Sequence, residues 1–297
     1  MSMTSSLPAC TPASSIRGRI GPDADHGYYP AAHRYHLYLA LSCPGCLRIA
    51  VTHALLGLDD RISRTLLPPV PDAPGAGYAA LREPYEATAH RYQGPAKAPV
   101  LADRWTGRVV SNHTGDILRD LALRFGGPGV PELYPAGAED GIRSLDRLFE
   151  EDISAAAQRA GQAGGAPAGR AAALATLLGA LGAVEERLAA GPHLLGDAPT
   201  AADVHLWVTL VQLDTVHRWH LDADAVHRIA AHPRLWAFAR RQLANPAFAD
   251  QLRLDEIERR HHHDCRGLEA AGAAVQIIDW TATGDLLALP VRQRGPR

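Results

Sequence analysis

Two cysteines separated by two residues, Cys43 and Cys46, are the side chains of this sequence best suited to chemistry. Apolar residues recur at every second position from Tyr35 to Leu41, which predicts a strand, and Pro44 is a residue that the first turn of a helix accepts. We therefore expect Cys43 at a helix N-terminus. The exposed amides and the helix dipole there favour the thiolate, which is the form of cysteine that attacks disulfides and thioethers.

The C-x-x-C pair has two other interpretations. Half of a zinc site would need a second pair of ligands at metal spacing, but Cys10 and Cys265 are isolated in the sequence. The run His261–His263 is not expected to bind one ion, because consecutive side chains on a helix or strand point in different directions. No metal is predicted. Two buried and inert thiols are the other alternative, since cysteine often serves as a small core residue.

Length and composition limit the class of protein. The 297 residues, 46% of them hydrophobic, are enough for two domains. The net charge of −2 and the mixing of charges along the chain favour neither nucleic acid nor a membrane as a partner. No stretch reads as a transmembrane helix or a signal peptide, and four cysteines are too few for a disulfide scaffold. A cytoplasmic protein with a small-molecule partner is expected.

The first half of the sequence predicts an irregular arm at residues 1–30 and a thioredoxin-like α/β domain at 31–127. Beyond the arm, the patterns indicate a strand at residues 35–41, a helix at 46–56 that is ended by Gly57, and a short strand at 61–66. A modest helix at 81–91, a hairpin at 98–110 and a helix at 111–126, capped by Ser111 or Asn112, follow. This is the thioredoxin order. In that fold the proline before the third strand is cis and faces the reactive cysteine, and Pro99 occupies this position.

The second half predicts an all-helical domain at residues 131–250, followed by an appended tail at 251–297. Helical patterns cover residues 134–160, 171–190, 201–215, 223–231 and 234–243. Thr200 and Asp203 form the sequence pattern of a capping box at the start of the third of these helices.

The chain resembles the xi class of glutathione transferases, the glutathionyl-hydroquinone reductases, and more distantly the omega class. The likeness covers about residues 28–265 and is carried, in order, by RYHLYLALSCPGC, APVLADRWTGRVVSN, ELYPAGAEDGIRSLDRLFEEDI and PTAADVHLWVTLVQLDTVH. It implies a thioredoxin-like domain that binds a small thiol, a helical domain that forms the wall for the second substrate, and a homodimer.

The resemblance also implies roles for individual residues. The family's cysteine maps onto Cys43, which would attack the sulfur of a glutathionyl adduct, release the reduced organic part and be regenerated by a second thiol. The family's cis-proline and the following valine, whose backbone pairs with the thiol's cysteine, map onto Pro99 and Val100. Arg34 and Arg48 flank the site and could bind a carboxylate, while a solvated helix face is the alternative for Arg48.

The chain departs from the family pattern at the same site. Gly45 and Cys46 replace the Trp-Ala of the family's Cys-Pro-Trp-Ala, so an aromatic wall is missing and a second thiol is present that could capture a mixed disulfide. His113-Thr114 replaces the acid-serine pair that holds the glutamyl end of glutathione, and an imidazole is a poor acceptor for an ammonium group. Gln158 and His262 or His263 stand where tyrosines line the family's quinone pocket.

These features predict a thiol-dependent reductase or transferase with Cys43 as nucleophile. Its cosubstrate would be glutathione or another low-molecular-weight thiol such as mycothiol. The alternative is a catalytically inactive transferase fold that acts as a binding or scaffold protein, although a thiol at a helix N-terminus argues against it.

Overall fold

The computed structural model describes residues 15–265 and 276–281, and the chain divides between Val130 and Pro131 into two compact units. The first unit contains a mixed four-stranded sheet with helices, and the second is built from helices. This is the predicted fold class.

The sheet of the first unit holds the strands β1, β2, β3 and β4 in the order β2-β1-β3-β4, with the bounds Tyr35–Leu39, Ser63–Leu66, Val100–Asp103 and Arg108–Ser111. β1 runs parallel to β2 and antiparallel to β3, and β3 pairs antiparallel with β4. Along β1, Tyr35, Leu37 and Leu39 are buried while the residues between them are half-buried. The alternation in the sequence therefore predicted this strand correctly, since successive side chains of a strand face opposite sides.

Three α-helices accompany this sheet: α1 at Pro44–Leu55, α2 at Arg82–Thr88 after a 3-10 turn, and α3 at Thr114–Phe125. The cap of α3 differs from the prediction, because His113 and not Ser111 or Asn112 precedes the first turn. The side-chain oxygen of Asn112 accepts the Ile16 N–H at 2.9 Å, and its nitrogen donates to the Tyr85 hydroxyl at 2.9 Å. These two bonds hold the Asn112 side chain away from the helix.

The described part of the N-terminal arm lies along β4. Gly18 donates its N–H to the Val110 carbonyl at 2.9 Å, and Asn112 donates to the Ile16 carbonyl at 3.1 Å. Arg17 forms an antiparallel bridge with Ser111. The arm has no periodic pattern in the sequence, yet backbone hydrogen bonds to the sheet order it.

Arg34 joins β1 to β3 inside the first unit. Its guanidinium donates to both carboxylate oxygens of Asp103, at 3.0 and 3.1 Å, and both side chains are buried. Four aromatic rings lie within cation–π distance of the guanidinium: Tyr28, Tyr29, Tyr35 and Trp105. The prediction that Arg34 could bind a carboxylate ligand is wrong, because the carboxylate that it binds is Asp103.

The second unit contains α4 to α11, with the bounds Glu139–Arg147, Ala155–Ala160, Pro167–Arg187, Ala201–Thr215, Ala223–Ala230, Pro233–Leu243, Pro246–Ala249 and Leu254–Cys265. A π-helical segment, Leu148–Ser154, joins α4 to α5, and a 3-10 turn, His217–His220, follows α7. The helix predicted from residue 134 begins at Glu139, after Pro135 and a positive-φ Gly137. α6 begins at Pro167, four residues earlier than predicted.

The capping box at the start of α7 is present. The Asp203 carboxylate accepts the Thr200 N–H at 2.8 Å and, with its other oxygen, the Leu194 N–H at 3.0 Å. Asp203 thus ties the preceding loop to the helix as well as capping it.

The segment predicted as an appended tail contributes to the helical unit. α11 packs against α7, and residues 276–281 are held by the buried carboxylate of Asp214. Asp214 accepts the N–H groups of Ile277 at 2.9 Å and Ile278 at 3.2 Å, and the indole N–H of Trp280 at 2.9 Å. The rest of the predicted tail lies outside the described residues.

Among the described helices, α6 is long and apolar enough to cross a membrane by length and composition. The sequence-based expectation that no stretch reaches this criterion is therefore wrong. The helix meets it through alanine and leucine, and a core helix passes the same test. Leu177, Leu181 and Val184 of α6 are buried within the helical unit.

Candidate functional site

Cys43 is the N-cap of α1. The turn that follows β1 is closed by a hydrogen bond from the Cys43 N–H to the Ala40 carbonyl at 2.9 Å, and Pro44 opens the helix. The Cys43 side chain is half-buried, whereas Cys46, one turn into the helix, is completely buried. Cys43 therefore sits at the positive end of the helix dipole with part of its surface open to a ligand, which is the setting of a reactive cysteine.

The starts of α1 and α3 are in contact beside Cys43. A Cβ atom on Gly45 would lie 2.7 Å from the hydroxyl oxygen of Thr114, which is too close for a real side chain. The two departures from the family pattern are thus physically linked, because a side chain at position 45 and the present position of the Thr114 hydroxyl exclude each other.

Pro99 directly precedes β3, and Val100 is the first residue of that strand. Val100 pairs with Tyr38, near the end of the strand that leads to Cys43, and both Pro99 and Val100 are buried. The Ala98–Pro99 peptide bond is cis, as predicted from the position of the proline before the third strand. The first unit therefore carries Cys43, Thr114 and the Pro99-Val100 pair on adjoining elements, since α1 packs against α3 and β1 pairs with β3.

His113 lies exposed at the start of α3, with its Nδ1 accepting the Asp116 N–H at 3.2 Å. Arg17 of the N-terminal arm donates from Nη2 to the Asp116 carboxylate at 2.9 Å, and Arg19 Nη1 lies 3.7 Å from it. Burial raises the pKa of Asp116, but the hydrogen bonds from Arg17 and the charges of Arg17 and Arg19 outweigh it and leave the pKa below its usual range. Asp116 is ionised at neutral pH and already neutralised by arginine.

Sequence reasoning missed the two arm arginines. Arg19 donates two hydrogen bonds to Asp120, at 2.6 and 2.9 Å, one turn along α3 from Asp116. The alternation Arg-Gly-Arg in an extended segment places both arginines on one side and was the available signal. Their partners are about 100 residues away in the sequence, so no local pattern identifies them.

Arg48 is buried on α1, with 8% of its surface exposed. The alternative that it belongs to a solvated helix face is therefore wrong. Its position five residues after Cys43 keeps it on the helix that carries the candidate nucleophile.

In the second unit, Cys265, which is isolated from the other cysteines in the sequence, lies beside two histidines. Its sulfur lies 3.2 Å from Nδ1 of His261 and 3.6 Å from Nε2 of His220. His262 and His263, the predicted replacements for pocket tyrosines, are exposed on α11. Gln158, the third predicted replacement, lies in α5, and Cys10 lies outside the described residues.

Comparison with known proteins places these features in a family. Residues 167–241 match the model of the glutathione S-transferase C-terminal domain. The chain is 31% identical over 240 residues to the glutathionyl-hydroquinone reductase PcpF of Sphingobium chlorophenolicum, covering 75% of this chain and 74% of that protein. It is 28% identical over 280 residues to the glutathionyl-hydroquinone reductase YqjG of Escherichia coli K12, covering 89% and 84%.

Solved structures agree with the sequence matches. The xi glutathione transferase of Phanerochaete chrysosporium superposes with a TM-score of 0.71 at 27% identity, covering 84% of this chain and 86% of that one. The glutathione-bound structure of YqjG gives a TM-score of 0.72 at 26% identity, with the same two coverages. With the cysteine at the start of α1, the cis-proline and the helical second unit, this chain belongs to the xi class of glutathione transferases, the family of the glutathionyl-hydroquinone reductases.

Proposed function

We propose that this protein is a thiol-dependent reductase or transferase in which Cys43 removes a small thiol from an S-conjugate or a mixed disulfide. The observation that carries the proposal is the half-buried Cys43 at the N-cap of α1, beside the start of α3. The relatives named glutathionyl-hydroquinone reductases support this reaction class. The proposal includes a cytoplasmic homodimer, as the family resemblance suggests.

The reaction follows from the chemistry of the thiolate. Cys43 attacks the sulfur of a thioether, the carbon–sulfur bond breaks, and the bonding electron pair leaves with the organic group, which takes up a proton. A disulfide between Cys43 and the small thiol remains. A second thiolate then attacks this disulfide and regenerates Cys43, so that two thiols supply the two electrons that reduce the organic group. Cys46 offers a second route, in which it attacks the sulfur of Cys43, releases the small thiol and leaves a Cys43–Cys46 disulfide that external thiols reduce.

The remaining site residues hold the small thiol. The backbone of Val100, set by the cis Pro99, pairs with the cysteine part of the thiol. The Thr114 hydroxyl and the first amides of α3 suit a carboxylate, because a helix N-terminus attracts anions. Arg48 stays a predicted member of this site, and its burial restricts it to the inner side of α1.

The identity of the thiol is part of the proposal. Glutathione in the YqjG structure supports a glutathione cosubstrate for the family. In this chain, however, His113 stands where an acid would accept the glutamyl ammonium, and Asp116 is already bound to Arg17. We therefore propose weak glutathione binding and a different low-molecular-weight thiol, with mycothiol as the first candidate.

The rate of Cys43 alkylation as a function of pH tests the nucleophile. Each cysteine peptide is quantified by mass spectrometry after timed exposure to iodoacetamide, so that Cys43 is followed in the unaltered protein. We expect an apparent pKa well below the value of about 8.5 for an ordinary cysteine. The Cys43→Ser variant should also lose the release of hydroquinone from a glutathionyl-hydroquinone, whereas Cys46→Ser should accumulate a Cys43 adduct detectable by mass.

Two results would contradict the proposal. A Cys43 pKa near the ordinary value would favour the catalytically inactive binding protein. Unchanged turnover in Cys43→Ser, with no adduct in Cys46→Ser, would show that the roles of the two thiols are assigned wrongly.

A further inference from the structure

Three side chains that can bind a metal meet in the helical unit, and they belong to His220, His261 and Cys265. Cys265 Sγ lies 3.6 Å from His220 Nε2 and 3.2 and 3.3 Å from the two ring nitrogens of His261. A donor atom from each of the three residues lies within 4.8 Å of the other two. No other such group of three or more occurs among the residues that the structure describes.

Two elements hold this group in place. His261 and Cys265 are four residues apart on α11, a spacing that brings both side chains to one face of a helix. His220 ends the 3-10 turn after α7, and α11 packs against α7. Gly161 fits closely against this turn, because a Cβ atom there would lie 2.5 Å from the Cβ of His220. Gly161 therefore packs directly against His220.

One separation in this group matches that of two ligands around one ion. Bonds of about 2.05 Å to nitrogen and about 2.3 Å to sulfur, at the tetrahedral angle, place the two donor atoms about 3.6 Å apart. The distance between Cys265 and His220 has this value. His261 has to turn its ring and withdraw by about 0.4 Å to direct one nitrogen at such an ion. Rotation of the His261 side chain about its own bonds provides this movement without any change in the backbone of α11.

We propose that His220, His261 and Cys265 bind a divalent transition metal of the zinc type. Imidazole and thiolate are the donors that zinc prefers, and three protein ligands leave the fourth position to water or to an external ligand. The expectation of no metal considered the consecutive histidines 261–263, of which only His261 takes part. The site does not depend on the role proposed for Cys43.

Hydrogen bonding alone is the competing explanation for the cluster. A thiol carries a single hydrogen, yet the Cys265 sulfur lies within hydrogen-bond range of two imidazole rings. Metal binding and hydrogen bonding differ in one measurable respect, since only the former recruits an ion and produces a metal–thiolate bond.

Titration of the untagged, chelator-treated full-length protein with Co²⁺ and then Zn²⁺ tests the site. We expect one equivalent of Co²⁺ to produce a thiolate-to-cobalt charge-transfer band in the near ultraviolet, and Zn²⁺ to displace it. Cys265→Ser should abolish this band. His220→Ala and His261→Ala should weaken Zn²⁺ binding by at least about tenfold, which is the lower end of the loss seen when a residue that merely supports a ligand is removed.

Matched variants separate this site from other thiols and histidines. His262→Ala removes an exposed histidine of the same helix and should bind Co²⁺ as the parent does, and so should Cys43→Ser. Gly161→Ala should push His220 aside and weaken binding while Cys265 remains. The proposal is overturned if the parent gives no charge-transfer band, if Cys265→Ser keeps it, or if His262→Ala weakens binding as much as His261→Ala.

Discussion

At the scale of single residues, His113 decides what the start of α3 can bind. The ring nitrogen that accepts the Asp116 N–H carries no hydrogen, so the hydrogen of the neutral ring is on Nε2, and the group presents a donor to its surroundings. Arg17 neutralises the Asp116 carboxylate beside it, so this carboxylate does not offer a free negative charge to a ligand. A carboxylate or a neutral acceptor suits this environment, whereas an ammonium group does not.

Replacement of His113 by glutamate should restore the acceptor for a glutamyl ammonium. A hydrogen bond to a charged group contributes about 1.5–3 kcal/mol, so we expect His113→Glu to bind glutathione at least about tenfold more tightly than the parent. Isothermal titration calorimetry with glutathione and with mycothiol measures both affinities. Mycothiol affinity should stay constant or fall.

His113→Gln is the control for this change, because glutamine has a similar length without the charge. It should leave glutathione affinity close to that of the parent. Tight glutathione binding by the parent that His113→Glu does not alter would defeat the proposal of a different thiol.

At the scale of elements, α7 organises the helical unit through its two ends. Asp203 caps its start, and Asp214 in its last turn accepts three hydrogen bonds from residues 276–281. Trp280 also packs edge-to-face against Trp207 of the same helix. A segment without regular secondary structure is thus fixed by one carboxylate and one aromatic contact.

Asp214→Ala should release residues 276–281. Each N–H left without an acceptor in a buried position costs about 1–3 kcal/mol, so the segment should detach before the helices unfold. We expect a red shift of tryptophan fluorescence from Trp280 and faster proteolysis at this segment, with helical circular dichroism retained. Asp224→Ala, which removes an exposed carboxylate of α8, should change neither. Proteolysis at the parent rate in Asp214→Ala would show that Asp214 does not hold the segment.

At the scale of the whole molecule, the Arg34–Asp103 pair links stability to pH. Burial raises the pKa of Asp103, but the hydrogen bonds from Arg34 and the Trp105 N–H, together with the Arg34 charge, outweigh it and leave the pKa below its usual range. A carboxyl whose pKa is lowered by folding stabilises the folded state above its unfolded pKa of about 3.9. This contribution is lost as the pH falls through the lower folded value.

Asp103→Asn should therefore lower the free energy of unfolding at pH 7 by about 3–5 kcal/mol, because it leaves the buried Arg34 charge without its partner. Below about pH 4 the difference between variant and parent should shrink, since Asp103 of the unfolded parent then takes up a proton while the folded parent does so only at lower pH. Urea unfolding from pH 3 to pH 7 measures both effects. Asp59→Asn, at an exposed position, is the control and should follow the parent. A difference that stays constant over this range would contradict the assignment.

Local patterns predicted the local structure. The alternation in β1, Pro44 at the start of α1, the proline before β3 and the capping box at Thr200 each depend on residues within a few positions of one another, and each element is present. For the same reason the position of Cys43 at the start of α1 could be predicted.

Contacts between distant residues could not be predicted in this way. Arg17 meets Asp116 across 99 residues, and Cys265 meets His220 across 45. Arg34 was predicted to bind the carboxylate of a ligand. Its actual partner, Asp103, lies 69 residues further along the chain, so no local pattern connects the two. Neither propensity nor spacing contains this information, since it depends on how the folded chain brings separate elements together.

The contact between the N-terminal arm and β4 also protects an outer strand of the sheet from pairing with other extended segments. β4 is the last strand of the sheet, and a bare outer strand offers unpaired backbone groups to any extended segment in solution. The arm occupies these groups through Ile16 and Gly18. A proteolytic cut that removes the chain up to Ile20 would take Arg17 and Arg19 away with the arm and create a surface prone to aggregation through strand pairing.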